Sequence, residues 1–257
     1  MERPTDIAHE IIQQHRDRDR FHNLTGELAP RDIAEAYAAQ AEFHRLNRID
    51  GRGPLGGRKI ALASPVQQEL CGIDHPIAGG IFASEIQESP AEISLSAYHG
   101  LGIEFELAAV ISRDISRPGS DRENIRAHIR ALCPAFELIM DRGADYACLG
   151  AETMIADNAW GAGVVLGPPI PDWQKLEVET LPCRLTWTGE EDAEAVAGDA
   201  DPLGSLAWVA NLVTEQGGTI KAGEVVITGS VIKTRYPKGP LAARYEIAGQ
   251  AVELTVI

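Results

Sequence analysis

The stretch that most constrains this chain is L-G-I-E-F-E-L-A-A-V-I, residues 101–111. As a strand of period two it places Ile103, Phe105, Leu107, Ala109 and Ile111 on one face, and Glu104, Glu106, Ala108 and Val110 on the other. Both faces are largely apolar, so the strand is expected to be covered on both sides, inside a layered domain. Two neighbouring carboxylates in such a place repel each other and lose hydration, at a cost of roughly several kcal/mol each unless positive charge sits between them. Taken alone, E-x-E fits a solvated face or a salt-bridged pair equally well. The apolar flanks and a third acid in an equally apolar stretch, Glu137 of P-A-F-E-L-I-M, favour a divalent cation held by Glu104, Glu106 and Glu137. Three carboxylates without a His or Cys partner suit a hard ion, Mg²⁺ or Mn²⁺, and leave positions open for water or substrate.

The rest of the chain reads as α+β. With 257 residues and 44% hydrophobic content it can form one main domain with an appendage. The first 50 residues look helical: Thr5 can cap a helix carrying Ile7, Ile11 and Ile12, and Pro30 can open a second with Ile33, Tyr37 and Ala41. G-R-G-P-L-G-G at residues 51–57 marks the boundary, giving a helical N-terminal cap (1–55) and a metal-dependent domain (56–257). Capping signals at Ser64-Pro65-Val66-Gln67 and at Ser120-Asp121-Arg122-Glu123 start two more helices, the second running through Ile125, Ile129 and Leu132. Another follows Asp201-Pro202, carries Leu203, Leu206, Val209 and Val213, and stops at Gly217-Gly218. Strands are expected at 103–111, 135–140, 163–166 and 225–228, with a hairpin of 243–247 and 252–257 around Gly249. No strict strand–helix alternation and no repeat is visible, which points to a mixed or antiparallel sheet.

A net charge of −15 argues against a nucleic-acid or anionic-membrane surface and leaves a small molecule or another subunit as partner. The four cysteines show neither C-x-x-C spacing nor a dense framework, and no run approaches the roughly 18 apolar residues of a membrane span, so a cytoplasmic protein is expected. Lys59 in G-R-K-I-A-L-A-S reads either as a catalytic base or as a surface charge. Asn158 in A-D-N and Ser230 in T-G-S lie at turn-rich ends. None of the seven histidines stands at metal-ligand spacing from another, so they read as surface or packing residues.

The order G-R-K-I-A-L-A-S-P-V-Q-Q, G-I-D-H-P, G-I-E-F-E-L-A-A-V-I, F-E-L-I, M-I-A-D-N-A, V-L-G and G-E-V-V-I-T-G-S, spread over nearly the whole chain, resembles the 2-keto-4-pentenoate hydratase branch of the fumarylacetoacetate hydrolase superfamily. The resemblance implies a mixed β-roll domain with a small N-terminal part, Mg²⁺ or Mn²⁺ as cofactor, and a homo-oligomer. It carries the metal ligands onto Glu104, Glu106 and Glu137, the active-site lysine onto Lys59, and a substrate-carboxylate contact onto Ser230, with Asn158 in the substrate site. The reaction implied is hydration of an unsaturated 2-oxo acid. Alternatives are decarboxylation of a 2-oxo-dicarboxylate, hydrolysis of an acylpyruvate, which the lack of a lid H-x-x-E disfavours, or metal binding without turnover.

Three places depart from that pattern. Ile77 of P-I-A-G stands where an acid is usual, Trp160 follows Asn158-Ala159, and Thr234-Arg235-Tyr236 replaces a small apolar stretch. If Ile77 and Arg235 both face the pocket, it gains positive charge, and Arg235 is expected to grip a second carboxylate on the substrate.

Overall fold

In the computed structural model, which describes residues 3–257, the two-faced apolar strand is the middle of the larger of two mixed sheets. That sheet contains β1 (Leu55–Ala61), β2 (Ile77–Phe82), β3 (Ile86–Glu88), β5 (Leu101–Ile111), β6 (Ile129–Met140), β7 (Gly161–Leu166) and β10 (Val225–Arg235). Its order is β2-β1-β10-β5-β6-β7-β3, with parallel pairs β1–β10 and β3–β7 and the others antiparallel. The second sheet, β4-β12-β11-β8-β9, takes β4 (Ala91–Ile93), β8 (Pro182–Trp187), β9 (Ala193–Val196) and the hairpin β11 (Leu241–Ile247) and β12 (Gln250–Val256). Its β8 alternates exposed and buried residues, as a strand with one wet face does.

The main core lies between the sheets. Phe105 on β5 meets Phe136, Trp187 and Tyr245 in T-shaped contacts at 5.9, 6.1 and 5.8 Å. The opposite face of β5 puts Ala108 and Val110 into a second cluster with Ile81, Cys133, Val164, Val225 and Ile227. Both faces are covered, as the residue pattern requires. Helix α5 (Pro202–Glu215) adds Leu203, Leu206, Val209 and Val213 to the main core, with Asp201 Oδ1 accepting from the Gly204 amide at its start.

Several local expectations give way to longer-range pairing. The 120–123 signal begins a tight turn, in which Asp121 Oδ1 accepts from the Glu123 and Asn124 amides, and a 3-10 helix of five residues, Asn124–His128, rather than a longer α-helix. Ile129 and Leu132 then enter β6, because β5 offers an eleven-residue edge and Pro134 would break a helix there. β10 runs past Thr228 to Arg235 through three register shifts. The glycines read as a boundary lie partly inside β1: a Cβ on Gly57 would stand 2.3 Å from the Val225 carbonyl oxygen, so glycine permits the close β1–β10 pairing.

At the N-terminus, α1 (Arg3–Asp17) and α2 (Ile33–Asn47) pack through Ile7, Ile11 and Phe43 into one cluster with Phe82 and Ala156. Asp32, rather than Pro30, caps α2 by accepting from the Glu35 amide. Thr5 lies within α1 and donates from Oγ1 to Glu42. The short helices α3 (Pro65–Leu70), with the expected Ser64–Gln67 capping box, and α4 (Ala151–Ala156) complete the set.

After α4 the backbone makes a turn that positions the site. Asn158, Ala159 and Trp160 all have left-handed φ, at 53°, 49° and 60°, a conformation that costs each non-glycine residue on the order of 1 kcal/mol or more. The Asn158 side chain holds it. Oδ1 accepts from the Gly80 amide at 2.7 Å, Nδ2 donates to the Gly80 carbonyl at 2.9 Å, and His44 Nε2 of α2 lies 2.7 Å from the same Oδ1. A Cβ on Gly79 would stand 2.7 Å from the Asn158 carbonyl oxygen, and one on Gly80 would stand 2.8 Å from the His44 ring, so the G-G pair in β2 is what lets these groups close. Burial pushes His44 down to about 4, so it is neutral near pH 7 and donates from Nε2.

A histidine whose folded pKa is depressed contributes stability that is complete above the unfolded value of 6.5 and is lost as pH falls toward 4. Urea unfolding should therefore show wild type losing about 1–3 kcal/mol more than His44→Gln between pH 7 and pH 4, since glutamine keeps an amide donor without a titrating ring. Parallel pH profiles would contradict this account of His44.

Candidate active site

Cross-strand register assembles the acids. Glu104 on β5 pairs with Glu137 on β6, and Glu106 pairs with Ser230 on β10. One carboxylate oxygen from each of Glu104, Glu106 and Glu137 lies within 4.8 Å of the others. Glu106 and Glu137 are fully buried, and Glu104 is partly buried. The bulge in β10 points the Gly229 amide at Glu106 Oε2 (2.7 Å), and Thr234 Oγ1 donates to Glu104 Oε1 (2.7 Å). Glu106 Oε1 and Glu137 Oε2 remain without a hydrogen-bond donor. Burial, reinforced by Glu104, pushes Glu106 up to about 7. Burial also raises Glu137 well above the ordinary carboxylate range, although Lys59 opposes it.

Lys59 is 1% exposed, and its Nζ lies 2.5 Å from Glu137 Oε1 and donates to the Ala159 carbonyl at 2.9 Å. The left-handed turn thus presents its middle carbonyl to the lysine. Burial works against the ammonium charge, but Glu137, then Glu104 and Glu106, outweigh it and hold Lys59 above the ordinary lysine range. The protein's own charges therefore raise the lysine rather than depress it. One ammonium cannot balance three carboxylates. The two oxygens without donors and the all-oxygen ligand set fit a hard divalent cation among these residues.

Lys59, Glu104, Glu106 and Ser230 line one end of a cavity of about 700 Å³. The Ser230 hydroxyl accepts from the Phe105 amide at 2.9 Å and donates to the Ile232 carbonyl at 2.7 Å, so its proton is engaged by backbone. Beyond this polar end the walls are mainly apolar, with Leu62, Ile139, Met154, Trp160 and Trp208. Trp160 stands edge-on to Phe21 at 5.1 Å and to Tyr146 at 5.8 Å. Besides Lys59, the cation on the wall is Arg122, which is exposed and paired with Asp201.

Three sequence-derived expectations are corrected here. Arg235 does not line the cavity: its guanidinium lies over Trp187 at 5.6 Å, 3.3 Å from Glu190, and donates to the Glu191 carbonyl. Trp187 and the acidic turn after β8 draw it away. Asn158 does not line the cavity either, because its amide is saturated by Gly80 and His44. Ile77 is fully buried in an apolar cluster with Tyr37, Leu62 and Cys71, so it changes the packing behind the cavity rather than the charge of its wall.

His44 and Asp157 were not legible as site-supporting residues. Asp157 joins His15 Nε2 at 2.5 Å to the buried Arg142 at the foot of the turn. The available signal was the position of Asp157 beside Asn158 in A-D-N. Nothing local connects it to His15, 142 residues away.

Residues 81–256 match the fumarylacetoacetate (FAA) hydrolase C-terminal family. The chain is 28% identical over 215 residues to the 2-keto-4-pentenoate hydratase of Paraburkholderia xenovorans (strain LB400), covering 82% of this chain and 76% of that protein. It is also 28% identical over 236 residues to the 2-oxo-hept-4-ene-1,7-dioate hydratase of Escherichia coli, covering 87% and 86%. The 4-oxalocrotonate decarboxylase from Pseudomonas putida G7, complexed with magnesium and adipate, shares the fold with a TM-score of 0.90 at 22% identity, over 99% of this chain and 97% of that one. None of the described helices is long and apolar enough to cross a membrane. With a two-sheet α+β core and a family match over most of its length, the chain belongs to the fumarylacetoacetate hydrolase family.

Proposed function

We propose that this chain is a divalent-cation-dependent hydratase that adds water to an unsaturated 2-oxo acid. The observation that carries the reading is the convergence of Glu104, Glu106, Glu137 and Lys59 at one end of a cavity whose walls also carry Leu62, Ile139, Met154, Trp160 and Trp208. The three acids would hold Mg²⁺ or Mn²⁺, which when bound supplies a Lewis acid for the oxygens of a 2-oxo carboxylate. Lys59 holds a proton beside that head group, oriented by Glu137 and the Ala159 carbonyl, and delivers it to the carbon next to the 2-oxo carbon. The apolar walls exclude water from the chain of the substrate, apart from the molecule that adds.

The tail of the substrate is uncharged in this reading. A second carboxylate would meet Leu62, Met154 and Trp208 with no free cation, because Arg235 is turned toward Glu190 and Arg122 is paired with Asp201. This favours hydration of a monocarboxylate over decarboxylation of a 2-oxo-dicarboxylate. Assays with added Mg²⁺ or Mn²⁺ should show kcat/KM at least about tenfold higher for a monocarboxylate 2-oxo-enoate than for its dicarboxylate counterpart. Equal turnover, or loss of carbon dioxide from the dicarboxylate, would overturn the assignment.

Two variants probe the head group. Calorimetry on Glu106→Gln should find Mg²⁺ affinity weakened by about tenfold or more, since even outer partners of ligands contribute that much. Unchanged affinity would remove Glu106 from the ligand set. Lys59→Met should retain cation binding and lower kcat by about a hundredfold or more. Full activity would reduce Lys59 to a structural counter-charge.

A further inference from the structure

One polar cluster on the cavity wall has no part in the head-group chemistry. Tyr146, from the turn after β6, and Tyr236, just past the end of β10, both line the cavity, and their hydroxyl oxygens lie 2.5 Å apart. Tyr146 Oη donates to Asp141 Oδ2 at 3.1 Å, and Asp141, which is 6% exposed, accepts the Gly143 amide at Oδ1. These bonds give the cluster a direction. With the Tyr146 proton directed to Asp141, Tyr236 donates to Tyr146 and keeps its own lone pairs free on the cavity side. Tyr146 and Tyr236 are 46% and 41% exposed; the partial desolvation they undergo pushes both phenols above their ordinary range, which keeps them protonated near neutral pH. Tyr236 is also tied to the acid end of the cavity, because Thr234, two residues earlier, is bonded to Glu104.

The reaction proposed above leaves one requirement that Lys59 and the three acids do not meet. Water adds to the carbon two atoms beyond the 2-oxo carbon, and as it does so it must lose a proton. The head group of the substrate lies at the acid end, so this happens farther along the cavity, where Leu62, Met154 and Trp160 offer no acceptor. Of the other acids on the wall, Asp121 and Asp199 are exposed, and Asp201 is already paired with Arg122. Outside the three-acid cluster, Asp141 is a buried carboxylate connected to the wall, through the Tyr146 and Tyr236 hydroxyls.

Resting on the hydratase reading, we propose that Tyr236, Tyr146 and Asp141 form a relay that takes the proton from the adding water. The new bond joins the water oxygen to the distal carbon of the conjugated double bond, and the π pair of that bond moves toward the 2-oxo group. One water proton passes to Tyr236 as Tyr236 hands its own to Tyr146 and Tyr146 hands its own to Asp141. The carbon next to the 2-oxo carbon takes its proton from Lys59. The product keeps the hydroxyl, and exchange with solvent returns Asp141 and Lys59 to their starting states, so no oxidant or co-reactant is needed.

The test uses Tyr236→Phe and Tyr146→Phe, which keep the rings and remove the hydroxyls. Each should lower kcat for hydration by about a hundredfold or more, with KM within about twofold and with melting temperature and Mg²⁺ affinity by calorimetry unchanged. Variants that hydrate as fast as wild type would overturn the relay alone. A rise in KM with kcat preserved would also overturn it, because the hydroxyls would then be substrate contacts. Loss of Mg²⁺ affinity together with kcat would assign them to support of the acid cluster instead. Wild type inert toward every unsaturated 2-oxo acid would overturn the hydratase reading itself, and the relay with it.

Discussion

The structure is organised around holding three like charges close together in a place that water does not reach. Glu104, Glu106 and Glu137 repel one another at the distances seen, and burial raises the cost of ionising each of the two deepest. The protein supplies only partial compensation: one ammonium from Lys59, one amide from Gly229 and one hydroxyl from Thr234. The remaining imbalance suits the cluster to a cation rather than to a packed core. It also explains the thickness of apolar structure around β5, since rigid neighbours on both faces stop the acids from turning outward to water.

Around that cluster the cavity divides by chemistry. One end is charged and tightly tied to backbone, whereas the other walls mix apolar and aromatic side chains with scattered polar ones. The left-handed turn at Asn158–Trp160 joins the two, because it offers a carbonyl to Lys59 and a tryptophan ring to the cavity wall. Its conformation depends on His44 from α2 and, through Asp157, on His15 from α1. The N-terminal helices therefore act on the site without touching it, which gives a physical reason for their close packing onto α4 and β2.

Much of this was legible in the residues. The alternation in 101–111, the hairpin around Gly249, the capped α5 and the three acids all follow from side-chain period, turn chemistry and the cost of buried charge, which act over a few residues. What only the tertiary structure decided involves competition between distant partners. Residues 129–134 carry a helical signal yet form a strand, because an eleven-residue edge was available to pair with. Arg235 is a long, flexible cation whose destination depended on an acidic turn some 44 residues away and on the Trp187 face, and neither can be weighed from its own neighbourhood. Tyr146 and Tyr236 are 90 residues apart and meet only because β5 lies between β6 and β10. The sequence by itself determined which charges must be buried and on which strand; folding decided which groups face them, because pairing, packing and side-chain reach are properties of neighbours in space.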